Sequence, residues 1–97
     1  MLTCESADGR LTVSGELQIQ FLESFKEYLQ AQLPHPGTLV VDLSGIGEVD
    51  LAGLQILASF ALTRPQFGEL KLVNLSPIMD KALRLCGLDR NLRQFVA

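Results

Sequence analysis

One short apolar run lies between two helical patterns in this chain, and that arrangement leaves few folds open. The run, Leu39–Leu43, follows a glycine-containing loop and is nearly continuous, which is typical of a central strand covered on both faces. Apolar residues three and four apart precede it from Gln20 to Leu33 and follow it over Leu51–Thr63, so both segments are predicted to be helices. A strand that alternates with helices indicates an α/β sheet.

An antiparallel hairpin is predicted at the beginning of the chain. Leu2–Glu5 and Leu11–Ser14 alternate apolar and polar residues, which is the period of a half-buried strand. An Asp-Gly pair at positions 8 and 9 lies between them and is the strongest short hairpin signal. Gly15 is predicted to break the second strand.

A further strand and helix are predicted in the last third of the chain. Leu70–Leu75 returns to a strand pattern, and Ser76 followed by proline is typical of a helix start. This third helix is predicted to end at Gly87 and to bury a stripe made of Met79, Ala82, Leu83 and Cys86. Residues 92–96 are predicted to add a short strand or a helical tail.

The expected order of elements is therefore β-β-α-β-α-β-α, in a single domain over residues 1–97. We expect an α/β fold with a mixed β-sheet, whose central strands are parallel and whose N-terminal hairpin is antiparallel, with helices packed on it.

Composition excludes several functional classes. Hydrophobic residues make up 47% and charged residues 20%, as in an ordinary globular protein rather than a disordered one. The net charge of −3 comes without any cluster of Lys or Arg, so nucleic-acid binding is not expected. The longest apolar stretch, Leu51–Leu62, is interrupted and shorter than the roughly 20 residues of a membrane span. No secretory signal is visible, so we expect a cytoplasmic protein without membrane insertion, with Cys4 and Cys86 as reduced core thiols.

The sequence gives little support to catalysis or cofactor binding. His35 lies between two prolines in a loop that offers neither a nucleophile nor an orienting partner. A single histidine and two distant cysteines do not form a zinc motif. Gly45, Gly47 and Gly53 do not match a dinucleotide fingerprint, and the Gly-Lys-Ser/Thr of a phosphate-binding loop is absent. No cofactor or metal is expected.

Two interpretations are open for the residues around position 50. Glu48 and Asp50 are spaced like paired carboxylates, but the stronger interpretation has Asp50 as the N-cap of the second helix and Glu48 in a solvated loop over 44–49. Leu51 is either a compact apolar docking point at the helix start or part of the core, and composition does not decide between them. Gly53 is expected where backbones approach closely.

The segment Val41–Leu54 resembles the hallmark of the STAS domain (sulfate transporter and anti-sigma factor antagonist). That hallmark is an apolar-Asp-Leu-Ser strand, a short loop, and then Asp-Ser/Thr-x-Gly-Leu. Three more pieces resemble the family in the same order, at Ser14–Leu17, Leu72–Pro77 and Leu85–Leu88. The resemblance covers essentially the whole chain and implies the α/β STAS fold.

The resemblance also implies regulation by binding. Stand-alone bacterial STAS proteins dock on a partner, often an anti-sigma factor kinase, and phosphorylation of the Ser or Thr after the conserved Asp breaks the complex. Here that position is Leu51, so no phosphorylation is expected there. Gln18 also replaces an aspartate that the family ties to the kinase complex and its nucleotide. The partner-binding residues expected from the resemblance are Gln18, Ser44, Asp50, Leu51, Ala52 and Gly53.

The identity of the partner stays open at this point. Ala52–Leu57 is similar to a STAS subset found beside chemotaxis kinases or as small subunits of lipid-trafficking ABC transporters. We therefore carry three hypotheses. The first is a non-enzymatic, cytoplasmic, anti-sigma factor antagonist-like regulator of a bacterial signalling partner. The second is a soluble transporter subunit that binds its ATPase with the same surface, and the third is a small enzyme or ligand carrier at Asp42 and Asp50, which lacks a base and a nucleophile.

Overall fold

The computed structural model describes every residue from Met1 to Ala97 and contains four strands and four α-helices. In chain order they are β1 (Leu2–Ala7), β2 (Arg10–Leu17), α1 (Leu22–Gln32), β3 (Leu39–Val49), α2 (Leu51–Thr63), β4 (Leu70–Val73), α3 (Pro77–Leu85) and α4 (Asp89–Leu92). Short 3-10 turns cover Ile19–Phe21, Arg64–Gln66 and Arg93–Phe95. The predicted order of elements is confirmed, with α4 as an additional short helix.

The strands form one mixed sheet in the order β1-β2-β3-β4. β1 and β2 are antiparallel, whereas β2–β3 and β3–β4 are parallel, as expected. The hairpin turns through Asp8 and Gly9, whose φ angles of 49° and 83° suit a two-residue turn between twisted strands. After β4, the chain returns so that Val96 makes a single parallel bridge with Leu72. The predicted tail is therefore helical first and paired with the sheet at its end.

The sheet buries one face, which corrects the expectation that β3 is covered on both faces. Leu11 of β2 pairs with Val41 of β3, which pairs with Leu72 of β4, and all three are fully buried. The neighbouring row on the other face is polar and largely exposed, as at Arg10 and Lys71. The continuous apolar run was misleading because Val40 is only half-buried and Asp42 is covered by polar partners rather than by a helix.

Residues 44–49 continue β3, although the sequence predicted a loop there, and β2 likewise runs through Gly15 to Leu17. The two strands stay paired across two register shifts, one between Thr12 and Ser14 and one between Gly15 and Glu16. Gly45 makes the first shift possible, because a Cβ atom there would lie 2.5 Å from the Cβ of Ser14. The glycines thus bend a long strand pair rather than end it.

The helices bury the stripes that their spacing predicts, with three exceptions. Phe25 and Leu29 of α1 enter the core, as do Met79 and Leu83 of α3. Cys86 is exposed, because α3 ends there, and this corrects its assignment to the core; Cys4 is half-buried. The burial of Cys4 raises the pKa of its thiol. The remaining exceptions are two leucines on α2, at positions 51 and 62, which are half-exposed.

Arg64 is a fully buried cation that the sequence analysis did not single out. Its Nη1 donates to the carbonyl oxygens of Leu33 and His35 at 2.7 Å, and its Nη2 donates to that of Gly37 at 2.5 Å. These carbonyls belong to the end of α1 and the loop that follows, where the helix dipole favours a positive charge. Arg64 therefore holds the α1–β3 connection from the far end of α2.

Candidate functional site

Asp50 joins two segments at the beginning of α2. Its Oδ1 accepts a hydrogen bond from the backbone N–H of Gly53 at 3.0 Å, so the predicted N-cap is confirmed. Its Oδ2 accepts from the backbone N–H of Ile19 at 2.8 Å, across the chain from the turn that leads into α1. Because both oxygens are occupied by backbone donors, this carboxylate fixes the turn against the helix start.

Two exposed apolar side chains flank this carboxylate. Leu51, directly after Asp50, is 50% exposed, and Ile19 is 72% exposed. The sequence predicted that Leu51 either docks or joins the core, and half of its surface is open to solvent. Ile19 was not identified from sequence, because it lies outside the α1 stripe in a short turn. We call Gln18, Ile19, Glu48, Asp50 and Leu51 the α2 entrance.

Gln18 and Glu48 form the polar side of the α2 entrance. The Nε2 of Gln18 donates to the Oε2 of Glu48 at 2.7 Å, which places the two side chains together across the ends of β2 and β3. An aspartate at position 18, as the family pattern has, would direct a second carboxylate toward Glu48. The neutral amide of Gln18 instead donates a hydrogen bond to the carboxylate of Glu48. Glu48 is exposed, as expected, but lies on a strand rather than in a loop.

Ala52 and Gly53 lie beneath the α2 entrance and offer little surface. Ala52 is half-buried and Gly53 is buried. A Cβ atom on Gly53 would lie 2.7 Å from the Cγ and 2.8 Å from the carbonyl oxygen of Leu17. The close approach predicted for Gly53 is therefore confirmed, and it brings the end of β2 against the first turn of α2.

Ser44 lies away from the α2 entrance, although the sequence grouped the two. It is exposed at the first register shift and lies five residue steps before Val49, or about 16 Å at about 3.3 Å per step. Its backbone N–H donates to the Oδ1 of Asp42 at 2.9 Å. The continued strand separates Ser44 from Asp50, where a loop would have left them closer.

Asp42 is a second polar centre, distinct from Asp50. Its Oδ2 accepts from the Nη2 of Arg10 at 2.6 Å and from the Nδ2 of Asn74 at 3.2 Å. The backbone N–H of Ser44 is the main cause that lowers the pKa of Asp42 to about 2. The structure does not bring Asp42 and Asp50 together, so the site imagined for an enzyme or ligand carrier is not assembled. Glu48 and Asp50 likewise bond to different partners.

A groove of about 500 Å³ runs between α1 and α2, beside the α2 entrance. Five of its ten lining residues are hydrophobic, and Lys26 is its only charged side chain. No group of three or more His, Cys, Asp or Glu side chains is arranged to hold a metal ion. None of the helices combines the length and the apolar character that crossing a membrane requires.

One mixed four-stranded sheet with helices packed on it is the fold of a STAS domain. The family model described as "Mlab, STAS domain" matches residues 1–96, and the chain belongs to this family. A search of curated proteins finds no significant match.

Solved structures of anti-sigma factor antagonists and of one transporter share the fold. The anti-sigma factor antagonist from Mycobacterium paratuberculosis superposes with a TM-score of 0.76 and 27% identity, over 93% of this chain and 80% of that one. The anti-sigma factor antagonist SpoIIAA in its unphosphorylated form gives a TM-score of 0.67 at 16% identity, over 100% and 86% of the two chains. The murine anion transporter Slc26a9 gives 0.72 at 24% identity over 95% of this chain and 16% of its own. The last two likenesses concern the fold alone.

Proposed function

We propose that this chain is a non-enzymatic, cytoplasmic regulatory protein of bacteria that binds a signalling partner of the anti-sigma factor or kinase type through the α2 entrance. The observation that carries the proposal is the half-exposed Leu51 next to Asp50, whose carboxylate also holds the backbone of the exposed Ile19. Because Asp50 binds the backbone N–H groups of Ile19 and Gly53, the backbone that carries the two side chains is ordered before binding, which lowers the entropic cost of association. The likeness to the Mycobacterium paratuberculosis anti-sigma factor antagonist supports the same class of partner.

Residues 1–97 act as one binding domain in this proposal. Asp50 positions the contact residues, while Gln18 and Glu48 form the polar edge of the α2 entrance. Ala52 and Gly53 support the helix start from below and take little part in the contact, and Ser44 lies outside it. No cofactor, nucleic acid or membrane lipid takes part.

The complex is proposed to be insensitive to phosphorylation. In the STAS proteins that this chain resembles, the acceptor hydroxyl follows the conserved Asp, and here Leu51 occupies that position. Incubation with ATP and the host's kinases, followed by intact-mass measurement, should leave the wild-type protein unmodified at the α2 entrance. A stoichiometric phosphate on Ser44 or Ser59 that released the partner would contradict the proposal.

A gain of function provides the complementary test. Leu51→Ser restores a hydroxyl at the beginning of α2, where a phosphate gains from the helix dipole but is opposed by Asp50. We expect a family-type kinase to label this variant, and the added charge of about −1.5 to −2 to weaken an apolar contact. If the kinase labels a known STAS substrate but leaves Leu51→Ser unlabelled in the same mixture, the kinase does not recognise position 51 as an acceptor.

The second candidate partner is a transporter ATPase, and the third is a chemotaxis kinase. The family description names Mlab, and Ala52–Leu57 resembles the STAS subset that contains small subunits of lipid-trafficking ABC transporters. Capture of the partner from the native host with immobilised wild-type protein, and its identification by mass spectrometry, distinguishes the three.

Leu62 supplies a matched control for this capture. It lies on the same helix as Leu51 and is 51% exposed, against 50% for Leu51, but is three turns away. We expect Leu51→Glu to lose the captured partner and Leu62→Glu to retain it. Loss with both variants, or with neither, would contradict docking through the α2 entrance.

A further inference from the structure

The segments that build the α2 entrance carry only acidic charges. Residues 16–23 and 47–55 contain Glu16, Glu23, Glu48 and Asp50, and no Lys, Arg or His. Glu16 is bonded to the ammonium group of Met1 at 2.6 Å. The other three make no salt bridge. Elsewhere in the chain Asp42, Asp80 and Asp89 each pair with an arginine, and four further carboxylates are unpaired.

The hydrogen bonds at the α2 entrance do not neutralise these carboxylates. Glu48 accepts from the neutral amide of Gln18, and Asp50 accepts from two backbone N–H groups. Glu23 is exposed in the first turn of α1, four residues after Ile19, and makes no side-chain hydrogen bond. Negative charge therefore lies on both sides of the exposed Ile19 and Leu51. The cations on the adjoining segments are the Met1 ammonium group, which Glu16 binds, and Lys26, which faces the groove between α1 and α2.

We propose that the partner surface that binds the α2 entrance is a small apolar socket with Lys or Arg side chains on its rim. The inference rests on the proposed function and names the chemistry of the partner. Ile19 and Leu51 fill the socket, and Glu23 and Glu48 face the cations. An acidic rim of this kind steers a basic protein partner and repels acidic surfaces, so it disfavours a nucleic acid or an anionic membrane as the occupant.

Photo-crosslinking in the native host identifies what covers the surface. Gln20→p-benzoylphenylalanine places the crosslinker on an exposed residue next to Ile19 while leaving the proposed contact residues intact. We expect it to capture one partner protein through a peptide that combines apolar residues with Lys or Arg. An acidic or neutral peptide, a lipid, a nucleic acid or a second copy of this chain would overturn the inference.

Charge-reversal variants, mixed with the purified partner, then measure how much the acidic rim contributes to the association rate. We expect the association rate to fall about tenfold at low salt for Glu48→Lys and several-fold for Glu48→Gln, which keeps an acceptor for Gln18. Glu5→Lys makes the same charge change on β1, away from the α2 entrance, and should leave the rate unchanged. The wild-type rate should fall with added salt, and less so for Glu48→Lys.

Two patterns of failure separate this inference from the proposed function. If Leu51→Glu abolishes binding while Glu48→Lys and salt have no effect, the partner docks here without a basic rim and the inference is wrong. If position 20 captures nothing while Leu62→p-benzoylphenylalanine captures a partner, the partner binds elsewhere on α2, and both the inference and the proposed function fall.

Discussion

The side chain of Asp50 sets the backbone geometry of the α2 entrance. Its two oxygens hold the backbone N–H groups of Gly53 and Ile19, so removing the carboxylate releases both the helix start and the turn before α1. We expect Asp50→Ala to lower the free energy of unfolding by about 1–3 kcal/mol, measured by urea denaturation.

Ser76→Ala is the control for Asp50, because Ser76 caps α3 with a single bond to Met79 and bridges nothing else. It should cost about 1 kcal/mol. A smaller loss for Asp50→Ala than for Ser76→Ala would show that the bond to Ile19 contributes no stability.

The low pKa of Asp42 makes stability depend on pH in a defined window. Because folding lowers this pKa from 3.8 to about 2, the contribution of the carboxylate is fully present above pH 3.8 and is lost as the pH falls toward 2. We expect Asp42→Asn to cost about 1–2 kcal/mol at pH 7 and to flatten the decline below pH 4. Urea denaturation of both proteins between pH 7 and pH 2 measures this, and parallel curves would contradict it.

Sequence reasoning at the residue scale found Asp50 but missed Ile19. A carboxylate before a periodic apolar segment is a local signal, since the cap bonds to its own helix. The exposure of Ile19 and its bond to Asp50 depend on bringing positions 19 and 50 together, which only the folded sheet does. Arg64 was missed for the same reason, because its three acceptors lie 27 to 31 residues earlier in the chain.

At the scale of elements, the beginning of α2 is positioned by the close approach of Gly53 to Leu17 at the end of β2. Gly53→Ala adds a methyl group 2.8 Å from the carbonyl oxygen of Leu17, which outweighs the better helix propensity of alanine. We expect a loss of about 1–3 kcal/mol by thermal or urea unfolding. Gly47→Ala, where a Cβ meets nothing within 4 Å, should change stability by less than about 0.5 kcal/mol, and equal effects would contradict the argument.

The other end of α2 is positioned by Arg64. Arg64→Met keeps much of the buried volume but leaves the carbonyl oxygens of Leu33, His35 and Gly37 without their donor. We expect a loss of about 2–4 kcal/mol in the free energy of unfolding. Arg90→Met, at an exposed position on α4, should be nearly neutral, and an Arg64→Met protein as stable as the wild type would show that water replaces the guanidinium.

The elements were largely predictable from local patterns, and the failures occur where pairing overrides them. Helix α2 was predicted with its observed bounds because Asp50 and the apolar spacing act locally. The second half of β3 was predicted as a loop because Gly45 and Gly47 are poor strand formers. Pairing with β2 across two register shifts outweighs that preference, and no local signal reports the partner strand.

At the scale of the whole molecule, structure and proposed regulation meet at one end of the domain. The parallel strands β2 and β3 both end beside the beginning of α2, so the turn after β2 and the helix after β3 share a surface. The family followed from motifs spread along the chain, and the order of elements followed from hydrophobic periodicity. The separation of Ser44 from Asp50 follows only from the pairing of β3 with β2. In the regulation that we propose, phosphorylation plays no part, so protein level and competing partners would control the complex.

The central claim is that Leu51 belongs to a binding surface rather than to the core, and one paired measurement on Leu51→Glu tests it. Calorimetric titration with the identified partner gives the Kd, and urea denaturation of the same sample gives the free energy of unfolding. We expect the Kd to rise at least about tenfold, with the free energy of unfolding within about 0.5 kcal/mol of the wild-type value. A protein that unfolds while its folded fraction still binds with the wild-type Kd would contradict the claim and return Leu51 to the core.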